Sequence, residues 1–129
     1  MAYSKETMKR FTNPKFVGEM KDADAVGQEG NVKCGDIMKI FLKIDEKTEK
    51  IKDIRFQTYG CVAAIAASDA MCEIAKGKTL TQALKIKFSD IVKELKDLPH
   101  VKVHCSVLGT STLKKAIDNC PVAEQVAIR

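Results

Sequence analysis

Three cysteines stand where one predicted structural element gives way to the next. Cys34 precedes an alternating run typical of a strand, Cys61 lies between a strand and a helix, and Cys105 opens the last predicted helix. At such junctions we expect the side chains not to be forced into the core. The amino end of a helix carries about half a positive charge, which favours a thiolate placed there, the form that binds metals and attacks sulfur. The placement therefore predicts a shared chemical role for these cysteines.

Two further donors stand beside them. Asp36 follows Cys34 after a single glycine, and His104 directly precedes Cys105. Each has an ordinary alternative, because Asp36 can cap a turn with its carboxylate and His104 can be a surface histidine. Three thiols with either the carboxylate or the imidazole suit a tetrahedral zinc ion or iron, and the excess of donors suggests exchange rather than permanent holding. The thiols are 27 and 44 positions apart, so the fold must assemble any such site.

The other two cysteines follow the apolar stripes of predicted helices. Cys72 comes seven residues after Ile65, and Cys120 comes seven residues after Leu113. Seven residues are close to two helical turns, so each pair shares a face. A buried cysteine acts as a small apolar side chain, and we predict packing roles for both. His100 has no candidate ligand beside it and is expected to face solvent.

The periodicity of the chain predicts an α+β fold, in which one helix precedes a small antiparallel sheet and a run of helices follows it. Ser4 and Thr79 are predicted N-caps, and Gly77 is predicted to lie just past a helix end. The predicted elements are a helix at 4–11, a loop at 15–33 with a short strand around Val26, strands at 37–44 and 51–59, a helix after Cys61, short helices at 79–86 and 88–96, and a last helix from Cys105 or Ser106.

Composition narrows the function classes. The 129 residues predict one domain over 1–129. The net charge is +5, but all but three of the 22 basic residues are lysines spread along the chain, so nucleic-acid binding is not favoured. No run of residues has the length and apolarity of a signal peptide or a membrane span, which predicts a cytoplasmic protein with reduced thiols and no membrane partner. Five cysteines argue against a complete disulfide framework.

Three segments around the junction cysteines resemble the U-type iron–sulfur cluster assembly scaffolds, the family of IscU and the amino-terminal domain of NifU. The segments are GNVKCGDIMKI at 30–40, FQTYGCVAAIAASD at 56–69 and LPHVKVHCSVLG at 98–109, and FTNPKFVG at 11–18 fits the start of the family. The resemblance runs over nearly the whole chain. It implies a single domain with a small three-stranded antiparallel sheet packed against a group of helices.

The resemblance also implies an activity of assembly rather than turnover of a small substrate, so that the chain is not an enzyme. A cysteine desulfurase would deliver sulfur to Cys105 with Lys102 in support, iron would arrive, and a labile [2Fe–2S] cluster would form and pass to apo-proteins. Cys34, Asp36, Cys61 and Cys105 would hold the iron or the cluster, with His104 as an alternative ligand. Isolated family members often carry zinc at this site.

Two candidate partners and two competing functions follow from the same residues. A heat-shock chaperone is a candidate partner, although His100 stands where chaperone-recruiting members usually have a second proline. A homo-oligomer around one cluster is a candidate assembly. The alternative function is a zinc-bound sulfur acceptor that stimulates a cysteine desulfurase without building a cluster. A zinc-stabilised structural domain would instead unfold on chelation.

Overall fold

The computed structural model describes residues 3–31, 36–99 and 102–120. Its elements are α1 (Lys5–Thr12), β1 (Ala25–Asn31), β2 (Asp36–Ile44), β3 (Ile51–Tyr59), α2 (Val62–Ala75), α3 (Leu80–Ala83), α4 (Phe88–Glu94) and α5 (His104–Asp118). Within these ranges the strands form one antiparallel sheet in the order β1-β2-β3. The predicted α+β class and the three-stranded antiparallel sheet are confirmed. None of the helices in this described part has the length and apolarity to cross a bilayer.

The sheet forms because β2 and β3 alternate between buried apolar side chains and more exposed ones. Met38, Ile40 and Leu42 of β2 are fully buried, and so are Ile54 and Phe56 of β3. Successive side chains of a strand point to opposite faces, so this alternation turns one face of the sheet toward the helices. The predicted hairpin of residues 37–44 and 51–59 is therefore confirmed, with β2 starting one residue earlier.

Helix α2 is buried on nearly every side. Ten of its 14 residues are buried, six of them alanines. A helix that is apolar all round belongs in a core rather than on a surface, and the small alanines let neighbouring elements approach closely. Cys72 is fully buried in this helix and Cys120 is 2% exposed beyond α5, which confirms the packing roles predicted for both.

The predicted N-caps are confirmed, whereas two of the predicted helices are shorter than expected. The Ser4 side chain accepts a hydrogen bond from Thr7 N, and Thr79 caps α3 in the same way with Gln82. Gly77, at φ +87°, follows α2 as expected. The short helices α3 and α4 end earlier than predicted, and Lys96 and Asp97 adopt positive φ values that a helix cannot continue through.

A buried ion cluster joins α1 to α2 and α4. Arg10 is only 5% exposed, and its guanidinium lies 2.9 Å from Asp69 Oδ2 and 3.2 Å from Glu94 Oε1. It also pairs with Glu73, and this hydrogen bond lowers the pKa of the Glu73 carboxyl. Because a buried charge must be paired, the cluster positions α1 on the body of the domain.

The second oxygen of Asp69 orders the chain after α1. Asp69 Oδ1 accepts hydrogen bonds from the backbone N–H groups of Lys15, at 2.7 Å, and Phe16, at 2.9 Å. The carbonyl of Phe16 in turn accepts a hydrogen bond from Phe56 N, and Gly18 N donates to Phe56 O. One buried carboxylate therefore aligns residues 15–18 along the edge of β3.

Strand β1 lies directly on the backbone of α5. A Cβ atom at Gly27 would stand 2.4 Å from Ala116 N and 2.8 Å from Thr112 O, so only glycine allows this approach. Asn119 Nδ2 donates to Val26 O at 2.9 Å at the end of the same contact. The contact anchors α5, the helix that carries Cys105.

Candidate functional site

Cys61 connects the sheet to the buried helix. It follows the end of β3 after Gly60 and is the N-cap residue of α2, with extended backbone angles of φ −82° and ψ −179°. Its carbonyl accepts the first hydrogen bonds of the helix, from Ala64 N and Ile65 N, while its side chain makes no capping hydrogen bond. The half-buried thiol is therefore available for other contacts.

Cys105 is the second residue of α5, and it is 1% exposed. The expectation that its side chain stays out of the core is wrong. Cys105, Gly109, Thr112 and Ala116 form one buried stripe at helical spacing, and this stripe packs against α2 and the sheet. Because Cys105 begins that stripe, the packing of α5 covers it.

The fold brings these two cysteines together. Their Sγ atoms lie 3.9 Å apart, although 44 positions separate them in the sequence. A tetrahedral zinc ion with Zn–S bonds of about 2.3 Å holds two sulfur ligands about 3.8 Å apart. The pair is therefore spaced as two ligands of one ion would be. Both residues lie at the amino ends of helices, of 14 and 15 residues respectively.

His104 contacts the same cysteine from the exposed side. Its Nε2 atom lies 3.6 Å from Cys105 Sγ, and the residue itself is exposed. Within residues 3–31, 36–99 and 102–120, no three His, Cys, Asp or Glu side chains are grouped to hold a metal ion. A complete ligand set would thus need donors beyond these contacts.

The other predicted ligands are placed only in part. Cys34 and His100 lie outside the described residues, as does the side chain of Asp36. The backbone of Asp36 opens β2, and the next residue, Ile37, pairs with Tyr59, two positions before Cys61. Asp36 and Cys61 therefore lie at the same end of the sheet, and their roles as ligands stay predictions.

Lys102 lies in the turn before α5. It is half-buried, and its backbone N–H donates to Pro99 O at 2.8 Å, which shapes the chain just ahead of Cys105. Its supporting role in sulfur acceptance stays a prediction. Cys72 is unsuited to such chemistry, because burial raises the pKa of its thiol well above the usual range and the nearby Asp69 raises it further.

Sequence reasoning missed an apolar surface at the same end of the sheet. Tyr59 is 78% exposed and Val17 is 53% exposed, and with Ile37 and Lys39 they line an open cavity of about 500 Å³. Exposed apolar patches on soluble proteins often mark interaction sites. The sequence did contain a signal for this surface. Tyr59 is three positions after the buried Phe56 on the same strand, so its side chain points to the opposite, outward face of the sheet.

A family model described as the NifU-like N-terminal domain matches residues 2–126. The chain belongs to this family. Among the relatives of this NifU-like domain, the iron–sulfur cluster assembly scaffold protein IscU 1 of Archaeoglobus fulgidus is 48% identical over 115 residues, which are 89% of this chain and 74% of the relative. The scaffold protein IscU of Aquifex aeolicus is 44% identical over 89% of this chain and 73% of the relative.

A solved structure extends the likeness to three dimensions. A putative iron–sulfur cluster assembly scaffold protein for the SUF system, from Fervidobacterium islandicum AW-1, superimposes with a TM-score of 0.72 at 27% identity. The match covers 88% of this chain and 95% of that structure. The resemblance drawn from the cysteine segments is therefore confirmed at the level of family and fold.

Proposed function

We propose that this NifU-like domain is an iron–sulfur cluster assembly scaffold. It accepts sulfur from a cysteine desulfurase, combines it with iron in a labile [2Fe–2S] cluster, and passes the cluster to apo-proteins. The observation that carries the proposal is the 3.9 Å approach of Cys61 and Cys105, in a chain 48% identical to a relative named as such a scaffold. Thiolates are the usual ligands of iron–sulfur clusters.

The proposed ligand set treats the cluster as cargo rather than as a resident cofactor. Cys34, Cys61 and Cys105 supply sulfur, Asp36 supplies a harder oxygen ligand, and His104 is the alternative. A stable cluster of this type takes four thiolates, so a set with one carboxylate suits a protein that gives its cluster away. Zinc fits the same donors and is expected in protein isolated without iron.

The proposed partners need a surface beside the cysteines. A desulfurase must bring its own sulfur within bonding distance of the site, so it has to cover the surrounding surface. The exposed side chains of Tyr59 and Val17 offer apolar area for such contacts at this end of the sheet. Apo-proteins that receive the cluster would bind to the same surface. We also propose a heat-shock chaperone as a partner, a homo-oligomer around one cluster, and a cytoplasmic location.

Anaerobic reconstitution with ferrous iron and sulfide tests the proposal. A scaffold develops visible charge-transfer absorption, which Cys61→Ser should abolish and Cys72→Ala should retain, because Cys72 is buried away from the site. A zinc-bound sulfur acceptor would stimulate the desulfurase yet develop no such spectrum. That second outcome would replace the proposed function with the alternative one.

Sulfur acceptance gives a separate prediction for Cys105. Incubated anaerobically with a cysteine desulfurase and cysteine, the wild-type chain is expected to gain sulfane sulfur on Cys105, measured by mass spectrometry after alkylation. Cys105→Ser should lose this modification, since a thiolate is needed to attack the persulfide. An unchanged amount of sulfane sulfur in Cys105→Ser would move the acceptor to another cysteine.

Cluster lifetime gives a prediction for Asp36. Asp36→Ala is expected to hold a reconstituted cluster longer and to transfer it more slowly, because the exchangeable oxygen ligand is removed. The decay of visible absorption and the rate of transfer to an apo-ferredoxin measure the two effects. A shorter lifetime in the variant would contradict the role given to the carboxylate, and Asp53→Ala on β3 is the control for loss of a surface carboxylate.

A further inference from the structure

Two sulfur atoms in contact can do more than hold a metal. The Cys61 and Cys105 Sγ atoms are 3.9 Å apart, and the Cys61 thiol is free. Thiol–disulfide chemistry proceeds by attack of one thiolate on a sulfur–sulfur bond. A sulfane sulfur carried by Cys105 would place such a bond beside Cys61, because the atom to be attacked is the Cys105 Sγ itself.

We propose that Cys61 is the resolving thiol that reduces the sulfane sulfur to sulfide. This inference rests on the proposed function, in which Cys105 carries the persulfide. The Cys61 thiolate attacks Cys105 Sγ, a bond forms between the two cysteine sulfurs, and the bond from Cys105 Sγ to the outer sulfur breaks. The outer sulfur leaves with the electron pair as hydrosulfide.

The electrons and protons of this step balance within the protein. The sulfane sulfur gains two electrons, and the two cysteine sulfurs together lose two as they become a disulfide. The proton that the Cys61 thiol gives up ends on the departing sulfide, which leaves as hydrosulfide. A dithiol reductant returns the disulfide to two thiols for the next turn.

The position of Cys61 allows the required motion. A disulfide needs the sulfurs at about 2.05 Å, so they must approach by roughly 2 Å. Cys61 is an N-cap residue whose side chain makes no capping hydrogen bond, and Gly60 precedes it. Its side chain can therefore rotate toward Cys105 without breaking a hydrogen bond of α2. Cys105 is buried in the packed stripe of α5 and serves as the fixed partner.

The geometry also assigns different access to the two thiols. Cys105 is 1% exposed, whereas Cys61 is half-buried, so a small reductant reaches the pair from the side of Cys61. Sulfide released at this point is beside the proposed iron ligands. A scaffold built in this way produces sulfide where the cluster forms, rather than taking it from solution.

Single-turnover sulfide release tests the inference. The iron-free protein is loaded anaerobically with inorganic polysulfide, freed of excess donor, and left without reductant while released sulfide and intact mass are followed. The wild type is expected to release its sulfane sulfur as sulfide and to become two hydrogens lighter than the reduced chain, with a peptide map that joins Cys61 to Cys105. Cys61→Ser is expected to release sulfide at least about tenfold more slowly and to keep its persulfide, because no thiolate is left to attack.

Matched variants separate the possible results. Cys72→Ala removes a fully buried cysteine within α2, and this variant should release sulfide at the wild-type rate. If Cys61→Ser releases sulfide at the wild-type rate, the inference is overturned while sulfur acceptance stands. The inference is also overturned if sulfide release is lost in Cys34→Ser but kept in Cys61→Ser. If Cys105 never gains a sulfane sulfur, the proposed acceptance step fails and the inference falls with it. Circular dichroism of each variant checks that the fold is retained.

Discussion

Asp69→Ala is expected to lower the free energy of unfolding by about 3–5 kcal/mol, the cost of breaking a buried ion pair by removing one partner. Asp69 is fully buried, and its carboxylate both pairs with Arg10 at 2.9 Å and accepts two backbone hydrogen bonds from residues 15 and 16. The substitution removes one of the negative charges that compensate the buried guanidinium of Arg10. It also leaves two backbone N–H groups without their hydrogen-bond acceptor. Urea unfolding followed by circular dichroism measures the loss.

Two companion variants test the cause. Glu94 contacts the same guanidinium, but its side chain is 43% exposed, so Glu94→Ala should cost no more than about 1 kcal/mol. Asp69→Asn keeps an oxygen for the backbone hydrogen bonds and loses only the charge, so it should fall between the other two. Equal losses from Asp69→Ala and Glu94→Ala would show that burial of the cluster contributes nothing.

Gly27→Ala is expected to lower the free energy of unfolding by about 1–3 kcal/mol or more. That range is usual for overpacking a core. The new methyl group would stand 2.4 Å from Ala116 N, and the obstacle is helix backbone, which cannot rotate away as a side chain can. Strand β1 and helix α5 must therefore separate. The measurement is again urea unfolding, with cluster reconstitution as a second readout because α5 carries Cys105.

Gly109→Ala is the matched control on α5. Its new Cβ would meet the flexible end of Met71 at 3.4 Å, a contact that a small side-chain shift relieves. Alanine is also the better helix former by about 1 kcal/mol. We expect this variant to be neutral or more stable. Similar destabilisation by both substitutions would mean that the backbone contact at Gly27 is not what limits the packing.

Local patterns accounted for most of the elements. The alternation of Met38, Ile40 and Leu42 predicted β2, because period two is a property of the strand itself. Ser4 and Thr79 marked helix starts because a cap is formed by neighbours three residues away. The lengths of α3 and α4 were both overestimated. For α4 the reason is the left-handed backbone at Lys96 and Asp97, which has no signal in residues that are not glycine.

Long-range contacts had no comparable signal. Glu6, four residues before Arg10 on α1, is a local partner of its guanidinium. The burial of Arg10 has no local signal, because Asp69, Glu73 and Glu94 come from other helices. Gly27 falls in the predicted loop at 15–33, and none of its neighbours in the sequence signals the contact with α5. The burial of Cys105 was mispredicted for the same reason, since the start of a helix is exposed only if nothing packs over it.

The sequence by itself determined the class of the fold, the family, and the side chains able to do sulfur and metal chemistry, because composition, short-range periodicity and motif segments are written along the chain. Only the tertiary structure decided that Cys61 and Cys105 come within 3.9 Å and that Cys105 is covered. These facts depend on how α2 and α5 pack against one sheet. Such packing is the sum of many weak contacts between distant residues, and no local pattern encodes it.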